Sequence, residues 1–273
     1  MTRGEEHVKS WTEEQIRKIR PWSVVYLYSG GKDSSLALLL TRDLVKKLSK
    51  EMKFGVYMLY VCIPGNTHPL NAFAASAVMK WHEEKYGFKP IFVAAPKVFH
   101  EYMSKYGLQR GKGRWCYTEF KEKAFREHER RLPRPILEIN GMSPRDSKNR
   151  EEMIDAEFQL VNTKSGMSFY AWHPLFSLNI SDEEKLKVLE SHEEFRPVVT
   201  LYKVFGDSLN CVVCPYKSPS KMVKHHGVED LAVLYYFTKQ YLRSDKWKKY
   251  FSRLLNVPLV YFFEGVDREG EDD

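Results

Sequence analysis

Long apolar runs are absent from this sequence of 273 residues. No stretch approaches the roughly 20 consecutive apolar residues that a membrane-spanning helix needs. The opening residues, Met-Thr-Arg-Gly-Glu-Glu-His, are charged and contain no signal-peptide core. We therefore expect a cytoplasmic protein with no membrane partner.

Internal repeats, long linkers and low-complexity blocks are absent as well. The hydrophobic fraction of 43% and the aromatic fraction of 14% are typical of globular proteins and argue against wholesale disorder. A chain of this length can bury a sizeable core as one large domain or two small ones. If some of the many aromatic residues are exposed, they would favour a homodimer.

Cysteine is scarce, with four residues in the whole chain. In a cytoplasmic protein, so few cysteines favour metal or redox chemistry over disulfides. Cys62 falls in an apolar stretch and is expected to pack in the core. Cys211 and Cys214 form a Cys-x-x-Cys-Pro element, whose spacing suits two ligands of one metal. A disulfide, or two buried thiols, is the alternative.

Basic residues exceed acidic ones, which gives a formal net charge of +7 and a pI near 9.0. Such a charge favours polyanionic partners, namely nucleotides and nucleic acid. Lysines between residues 217 and 249 could form a basic face for RNA. A solvated, lysine-rich surface explains the same composition.

One stretch combines a strand, a glycine turn and a helix. Residues 24–28 are β-branched and aromatic, as in a buried parallel strand, and residues 36–40 continue an apolar helix. Gly30 and Gly31 between them allow positive φ and close approach of a ligand. Such a turn directs backbone N–H groups and a helix N-terminus at one point, which predicts a phosphate site. The glycine spacing fits neither the Walker loop nor the dinucleotide-binding fingerprint.

Strands and helices alternate along most of the chain. Predicted strands cover residues 24–28, 54–63, 90–94 and 135–139, with helices over 5–20, 70–87 and 181–190 and one from the loop to about residue 50. This alternation predicts a doubly wound, mainly parallel α/β sheet with right-handed crossovers. Ligands of such sheets bind at the carboxyl ends of the strands, where the glycine turn lies.

The turn sequence Ser-Gly-Gly-Lys-Asp-Ser resembles the signature of the PP-loop, or N-type ATP pyrophosphatase, superfamily. Members mostly cleave ATP between the α and β phosphates to adenylylate a substrate, or bind an adenylyl-sulfate. The resemblance implies that Lys32 and Mg²⁺ neutralise the phosphates and that Asp33 holds the loop or the metal. The nucleotide-binding residues implied in the loop are Ser29, Gly30, Gly31, Lys32, Asp33, Ser34 and Ser35. An ordinary strand-turn-helix with a polar tip is the alternative.

Two further segments resemble the phosphoadenosine-phosphosulfate reductase-like family. Arg114, Cys116 and Lys121 match its Arg-x-Cys-Cys-x-x-x-Lys element, with Tyr117 in place of the second cysteine. Residues 139–150 resemble its Gly-x-Arg-x-x-x-Ser-x-x-Arg motif with altered spacing. The resemblance implies nucleotide phosphate or sulfate contacts at Arg114, Arg145 and Arg150. A charged surface loop is the other interpretation of the second segment.

The resemblance also implies a metal centre. Adenosine-phosphosulfate reductases hold a 4Fe-4S cluster with four cysteines, and three candidate ligands remain here: Cys116, Cys211 and Cys214. Three thiolates can hold a 4Fe-4S cluster with one iron open, as some tRNA-thiolating PP-loop enzymes do. A zinc site completed by His225 or His226 is the alternative.

The reductases end in a Glu-Cys-Gly-Leu-His tail whose cysteine attacks the sulfonyl sulfur, and no cysteine follows Cys214 here. Three functions therefore stay open. The first is an adenylylating or sulfur-transferring enzyme that uses ATP and acts on tRNA or another RNA. The second is an adenylyl-sulfate reductase that uses another cysteine, such as Cys116, or an unusual donor. Lys32 and Asp33 are the other candidate catalytic residues. The third is a non-catalytic nucleotide-binding module. The expected domains are an N-terminal helix (1–20), the nucleotide-binding domain (21–205) and a helical, cysteine-bearing segment (206–273).

Overall fold

The computed structural model describes residues 3–106, 115–143, 157–163, 166–211 and 214. Its backbone contacts divide the chain into two compact units. The first contains Met1–Cys62, Pro69–Val93 and Ala124–Asn210. The described residues of the second are 63–68, 94–106, 115–123, 211 and 214. The division into domains made from the sequence stays a prediction.

A six-stranded sheet crosses the first unit in the order β3-β2-β1-β4-β6-β5. The strands are β1 (Ser23–Leu27), β2 (Gly55–Cys62), β3 (Lys89–Ala94), β4 (Ile136–Asn140), β5 (Phe158–Asn162) and β6 (Ser168–Trp172). β1 pairs in parallel with β2 and β4, and β4 pairs in parallel with β6. The edge strand β5 runs antiparallel to β6. The predicted mainly parallel α/β fold is therefore confirmed.

Helices connect most of these strands. They are α1 (Arg3–Ile19), α2 (Lys32–Met52), α3 (Pro69–Tyr86), α4 (Phe99–Tyr106), α5 (Lys123–Glu129), α6 (Asp182–Glu190) and α7 (Arg196–Phe205). A π-helical turn (Tyr117–Glu122) precedes α5, and a short 3-10 turn (Glu193–Phe195) precedes α7. None of the described helices is long and apolar enough to cross a membrane. The C-terminal helices expected after residue 228 lie outside the described residues.

Helix boundaries follow local sequence signals. The Ser181 hydroxyl accepts the Glu184 N–H, and the Glu184 carboxylate accepts the Ser181 N–H, which together form a capping box at the start of α6. Trp11 of α1 stacks on Trp172 with ring centroids 4.9 Å apart, and Ile16 is fully buried. The apolar stripe expected on this helix therefore faces the sheet.

Both faces of the sheet are covered. Val24, Tyr26 and Tyr28 face a large core formed with α1, α2, α3, α6 and α7. Val25 faces a smaller core that includes Phe125 of α5. Because neighbouring strand residues point to opposite faces, this alternation places β1 in the middle of a doubly wound layer structure. Cys62 is half-buried against the larger core, which agrees with the packing role expected from the sequence.

The second unit has its own aromatic cluster. Phe99 and Tyr102 of α4 lie against Trp115 and Phe120, with ring centroids 5.0 to 6.1 Å apart. The Tyr102 hydroxyl donates to Glu119 at 3.1 Å. These contacts join α4 to the π-helical turn that begins directly after Cys116.

A buried cation ties α2 to α3. Arg42 is 5% exposed, forms an ion pair with Glu194 and donates to Nε2 of His82 at 3.1 Å. The other ring nitrogen of His82 donates to the Val78 carbonyl at 2.8 Å, which requires a neutral imidazole. Burial, together with the adjacent Arg42 cation, lowers the pKa of His82 to about 4.

We expect this histidine to make the fold acid-sensitive. Its folded pKa lies below the ordinary 6.5, so its stabilisation is present above pH 6.5 and is lost as pH falls towards 4. Between pH 7 and 4.5, the wild type should lose about 2 to 3 kcal/mol more unfolding free energy than His82→Gln. Urea denaturation at both pH values measures this difference, and equal losses in the two proteins would contradict it.

Candidate nucleotide-binding site

The glycine turn lies at the carboxyl end of the central strand β1 and opens α2. Gly30 has φ +69° and Gly31 is the helix N-cap, with no side-chain hydrogen bond to the first turn. The N–H groups of a first helical turn have no acceptor within the helix. The turn therefore presents backbone donors and the positive end of the α2 dipole at one point.

Two serines close the turn from inside rather than capping the helix. The Ser34 hydroxyl donates to the Gly31 carbonyl at 3.1 Å and accepts from the Ser29 N–H at 3.2 Å. It also lies 3.0 Å from the Ser29 hydroxyl. The Ser35 hydroxyl lies 3.0 Å from the buried Tyr28 hydroxyl. These bonds fix the curvature of the loop before any ligand arrives.

Two asparagine side chains donate hydrogen bonds to the backbone carbonyl of Ser29. The amide of Asn210 donates to it at 2.7 Å, and the amide of Asn71 donates to it at 3.4 Å and to Ser208 at 2.8 Å. Asn71 is fully buried and accepts a bond from the Tyr60 hydroxyl at 2.9 Å. A Cβ on Gly30 would meet the Asn71 amide nitrogen at 2.9 Å, so glycine is required for this close approach.

We expect Asn71→Ala to lower the free energy of unfolding by about 2 to 3 kcal/mol, because it removes the donor to the Ser208 carbonyl, one of two donors to the Ser29 carbonyl and an acceptor of the buried Tyr60 hydroxyl. The affinity for ATP should fall as well, because Asn71 no longer holds the loop through the Ser29 carbonyl. Tyr60→Phe removes a single bond to the same amide and should cost about 1 kcal/mol. Chemical denaturation of both variants measures the contrast, and equal stabilities would refute the role given to Asn71.

Gly141, directly after β4, packs against the first turn of α2. A Cβ at this position would lie 2.4 Å from the Asp33 carbonyl carbon and 2.5 Å from the Ser34 nitrogen. Real Cβ atoms do not approach backbone so closely, so the absence of a side chain at Gly141 sets the distance between β4 and the loop.

The end of β4 is fixed by a buried histidine. Nδ1 of His173 donates to the Asn140 side-chain oxygen at 2.6 Å, and that oxygen also accepts the Met142 N–H at 3.1 Å. The Gln159 amide lies 3.3 Å from Nε2 of the same ring. Burial lowers the pKa of His173 to about 4, so the ring is neutral and can accept from Gln159 while it donates to Asn140.

Tyr202 of α7 contacts the start of α2, directly after the glycine turn. Its hydroxyl accepts the Lys32 N–H at 3.2 Å, and the Lys32 ammonium lies 5.5 Å from its ring centroid. Burial raises the pKa of Tyr202, so the hydroxyl keeps its proton at neutral pH. No local sequence pattern indicated that Tyr202 meets the loop.

Four charged side chains meet beside the loop. The Lys32 ammonium lies 3.2 Å from the carboxylates of both Asp33 and Asp182. Lys185 lies 2.7 Å from Asp33 and 3.2 Å from Asp182. Burial opposes the charge on Lys32, but Tyr202 and the two carboxylates outweigh burial and raise its pKa. Burial also opposes the charge on Asp182, but the two ammonium groups lower its pKa.

Sequence reasoning missed Asp182 and Lys185. A signal was present, since Lys185 occupies the buried face of α6 four residues before the buried Leu189. A lysine on an apolar stripe is rare unless it has a specific partner. That partner, Asp33, lies 152 residues away along the chain, and no local pattern reveals it.

Several site residues predicted from the sequence lie outside the described part of the chain. Arg114, Arg145 and Arg150 lie outside the described residues, as do His225 and His226. The nucleotide contacts assigned to the three arginines therefore stay predictions.

The four cysteines are all half-buried, and no disulfide links them. Cys116 lies at the start of the π-helical turn, and Cys211 and Cys214 follow the first unit. Within the described residues, no group of three or more His, Cys, Asp or Glu side chains could hold a metal ion. The 4Fe-4S or zinc site therefore stays a prediction.

No protein-family model and no curated protein matches the chain. Several solved structures overlap with it in part. Candida glabrata FMN adenylyltransferase, in complex with FMN and the ATP analogue AMPCPP, is 16% identical with a TM-score of 0.45. The overlap covers 70% of this chain but 56% of that one, so this chain spans little more than half of that neighbour's length.

Two other neighbours cover more of their own length. The U34-tRNA thiolase NcsA from Methanococcus maripaludis, with its 4Fe-4S cluster, is 16% identical over 88% of this chain and 81% of that one, with a TM-score of 0.43. A phosphoadenylyl-sulfate reductase from Candida auris, in a phosphate complex, is 12% identical over 68% and 78%, with a TM-score of 0.40. These neighbours are PP-loop superfamily members, the superfamily that the loop sequence resembles. Similarities of this size leave the activity, substrate and cofactor of this chain open.

Proposed function

We propose that this chain binds the phosphates of an adenine nucleotide at residues 29–35 and is an ATP-dependent adenylylating enzyme. One observation carries the proposal. The turn at Gly30 and Gly31 opens the N-terminus of α2 at the carboxyl end of β1, and the N-cap residue Gly31 has no side chain to cap it. Loops of this construction hold phosphate oxygens through backbone N–H groups and a helix dipole.

The described side chains suit transfer of an adenylyl group. An oxygen of the acceptor attacks the α phosphorus, the bond between the α phosphorus and its bridging oxygen breaks, and pyrophosphate leaves. Lys32 lies where it can neutralise charge on the leaving phosphates, and the rigid loop positions them in line. The Mg²⁺ that accompanies ATP adds further positive charge when bound.

The loop supports the choice of ATP through its charge. The helix N-terminus and the Lys32 ammonium suit the triphosphate, which carries more negative charge than an adenylyl-sulfate. RNA, including tRNA, remains the proposed acceptor on the strength of the +7 net charge. Sulfur transfer by the cysteines remains a second step of the prediction, with no geometry described for it.

The test is product analysis with ATP and Mg²⁺, with and without bulk tRNA. We expect pyrophosphate and adenylylated tRNA to form together when tRNA is present, and Lys32→Met to abolish both. Release of ADP and inorganic phosphate instead would contradict adenylylation. Sulfite release from an adenylyl-sulfate with a thiol donor would replace the proposal with a reductase. ATP binding without any turnover would replace it with a non-catalytic module.

A further inference from the structure

Four ion pairs beside the loop form a closed ring of Lys32, Asp33, Lys185 and Asp182. Going round it, the Lys32 ammonium contacts Asp33, Asp33 contacts Lys185, Lys185 contacts Asp182, and Asp182 contacts Lys32. Two ammonium groups and two carboxylates alternate, so the ring has no formal net charge. The lysine that should meet a phosphate is therefore already occupied by an anion of this chain.

The side chains of the ring differ in their exposure to solvent. The Lys185 side chain is 4% exposed and Asp33 is 23% exposed, whereas Asp182 is 66% exposed. A buried ammonium is costly unless it keeps its partner, which fixes Lys185 on Asp33. An exposed carboxylate is screened by water and exchanges at low cost. Asp182 is thus the member that an incoming anion can replace.

We propose that Asp182 is an internal stand-in for the nucleotide phosphate and that Lys185 is a positioning residue that keeps Asp33 in place, an inference that rests on the proposed function. On binding, the Lys32 ammonium exchanges the Asp182 carboxylate for phosphate oxygens. Lys185 stays on Asp33 and prevents that carboxylate from repelling the phosphates. Asp182 therefore lowers the affinity for nucleotide, and Lys185 raises it.

The two residues make opposite predictions, which simple structural damage would not produce. Asp182→Asn leaves the site with one excess positive charge, so ATP and inorganic pyrophosphate should bind about five- to tenfold more tightly. Lys185→Met removes one of the two ammonium groups that contact Asp33, which makes the site more negative, and should weaken both by about tenfold. Each effect should shrink at high salt, because the ring is partly open to solvent.

Matched controls lie on the same helix. Glu183→Gln removes an exposed charge from the same first turn of α6, and Lys187→Met removes an exposed lysine two residues after Lys185. Both should bind ATP and pyrophosphate as the wild type does. Thermal unfolding of every variant shows whether it is folded at the temperature of the titration.

Calorimetric titration of ATP and of pyrophosphate into the four variants and the wild type decides the matter. Tighter binding by Asp182→Asn alone, or binding by this variant where the wild type shows none, supports the inference. If the wild type binds and Asp182→Asn binds equally or more weakly, the stand-in role is wrong while the proposed function survives. If a folded Lys185→Met binds as the wild type does, the positioning role is wrong. If neither the wild type nor Asp182→Asn binds ATP, both proposals fall together.

Discussion

Gly141→Ala should both destabilise the protein and disable the loop. The added Cβ would sit 2.4 Å from the backbone of Asp33, so β4 and the first turn of α2 must move apart. Backbone on both sides leaves no flexible side chain to absorb the shift. We expect a loss of about 3 kcal/mol in the free energy of unfolding and at least a tenfold loss of ATP affinity, measured by denaturation and calorimetry.

Gly166→Ala separates crowding from ordinary backbone strain. Gly166 has φ +77°, and a Cβ there meets no atom of the described residues within 4 Å. Its alanine variant should lose about 1 to 2 kcal/mol from the unfavourable φ alone and keep its ATP affinity. If Gly141→Ala retains wild-type stability and ATP affinity, the close approach between Gly141 and α2 does not shape the loop.

Lys32→Met should weaken ATP binding by about a hundredfold. The substitution removes the ammonium beside the loop, and a hydrogen bond to a charged group contributes roughly 1.5 to 3 kcal/mol. It also leaves Asp33 and Asp182 with Lys185 as their shared cation, which makes the site more negative. Equilibrium titration with ATP, with and without Mg²⁺, measures the loss.

The control for this prediction lies on the same helix. Lys47 of α2 is exposed, and Lys47→Met removes the same charge at a distance from the loop. We expect its ATP affinity to match that of the wild type. Equal affinities in Lys32→Met and Lys47→Met would show that the lysine of the loop does not meet the phosphates.

Local patterns predicted the elements that build the site. Val24 and Val25 sit fully buried in β1, as an apolar, β-branched run predicts. The glycine pair marked the turn, because φ +69° at Gly30 is a conformation that side chains oppose. Strands β2, β3 and β4 begin and end within about two residues of the predicted positions, since short apolar runs bounded by turns define them.

The far edge of the sheet was not predicted. Strand β5 has only partly buried or exposed residues, such as Leu160 at 55% exposure, so it lacks the apolar signal of the central strands. Its pairing with β6 runs antiparallel, which breaks the regular alternation of strand and helix. Strand β6 was likewise not among the strands predicted from the sequence.

Residues far apart in the sequence complete the site. Tyr202 lies 170 residues from the Lys32 N–H that it accepts, and Asn210 lies 181 residues from the Ser29 carbonyl. Contacts of this kind depend on how the helices pack over the sheet, which periodicity does not encode. The metal centre that the cysteine spacing suggests stays a prediction, because the candidate ligands His225 and His226 lie outside the described residues.

Calorimetric titration of wild-type protein with ATP, pyrophosphate and adenosine, in the presence of Mg²⁺, tests the phosphate-binding loop most directly. If residues 29–35 hold phosphates, ATP and pyrophosphate bind at one site and compete, and adenosine binds at least tenfold more weakly than ATP. Adenosine binding as tightly as ATP, or no binding of ATP and pyrophosphate at all, would contradict it.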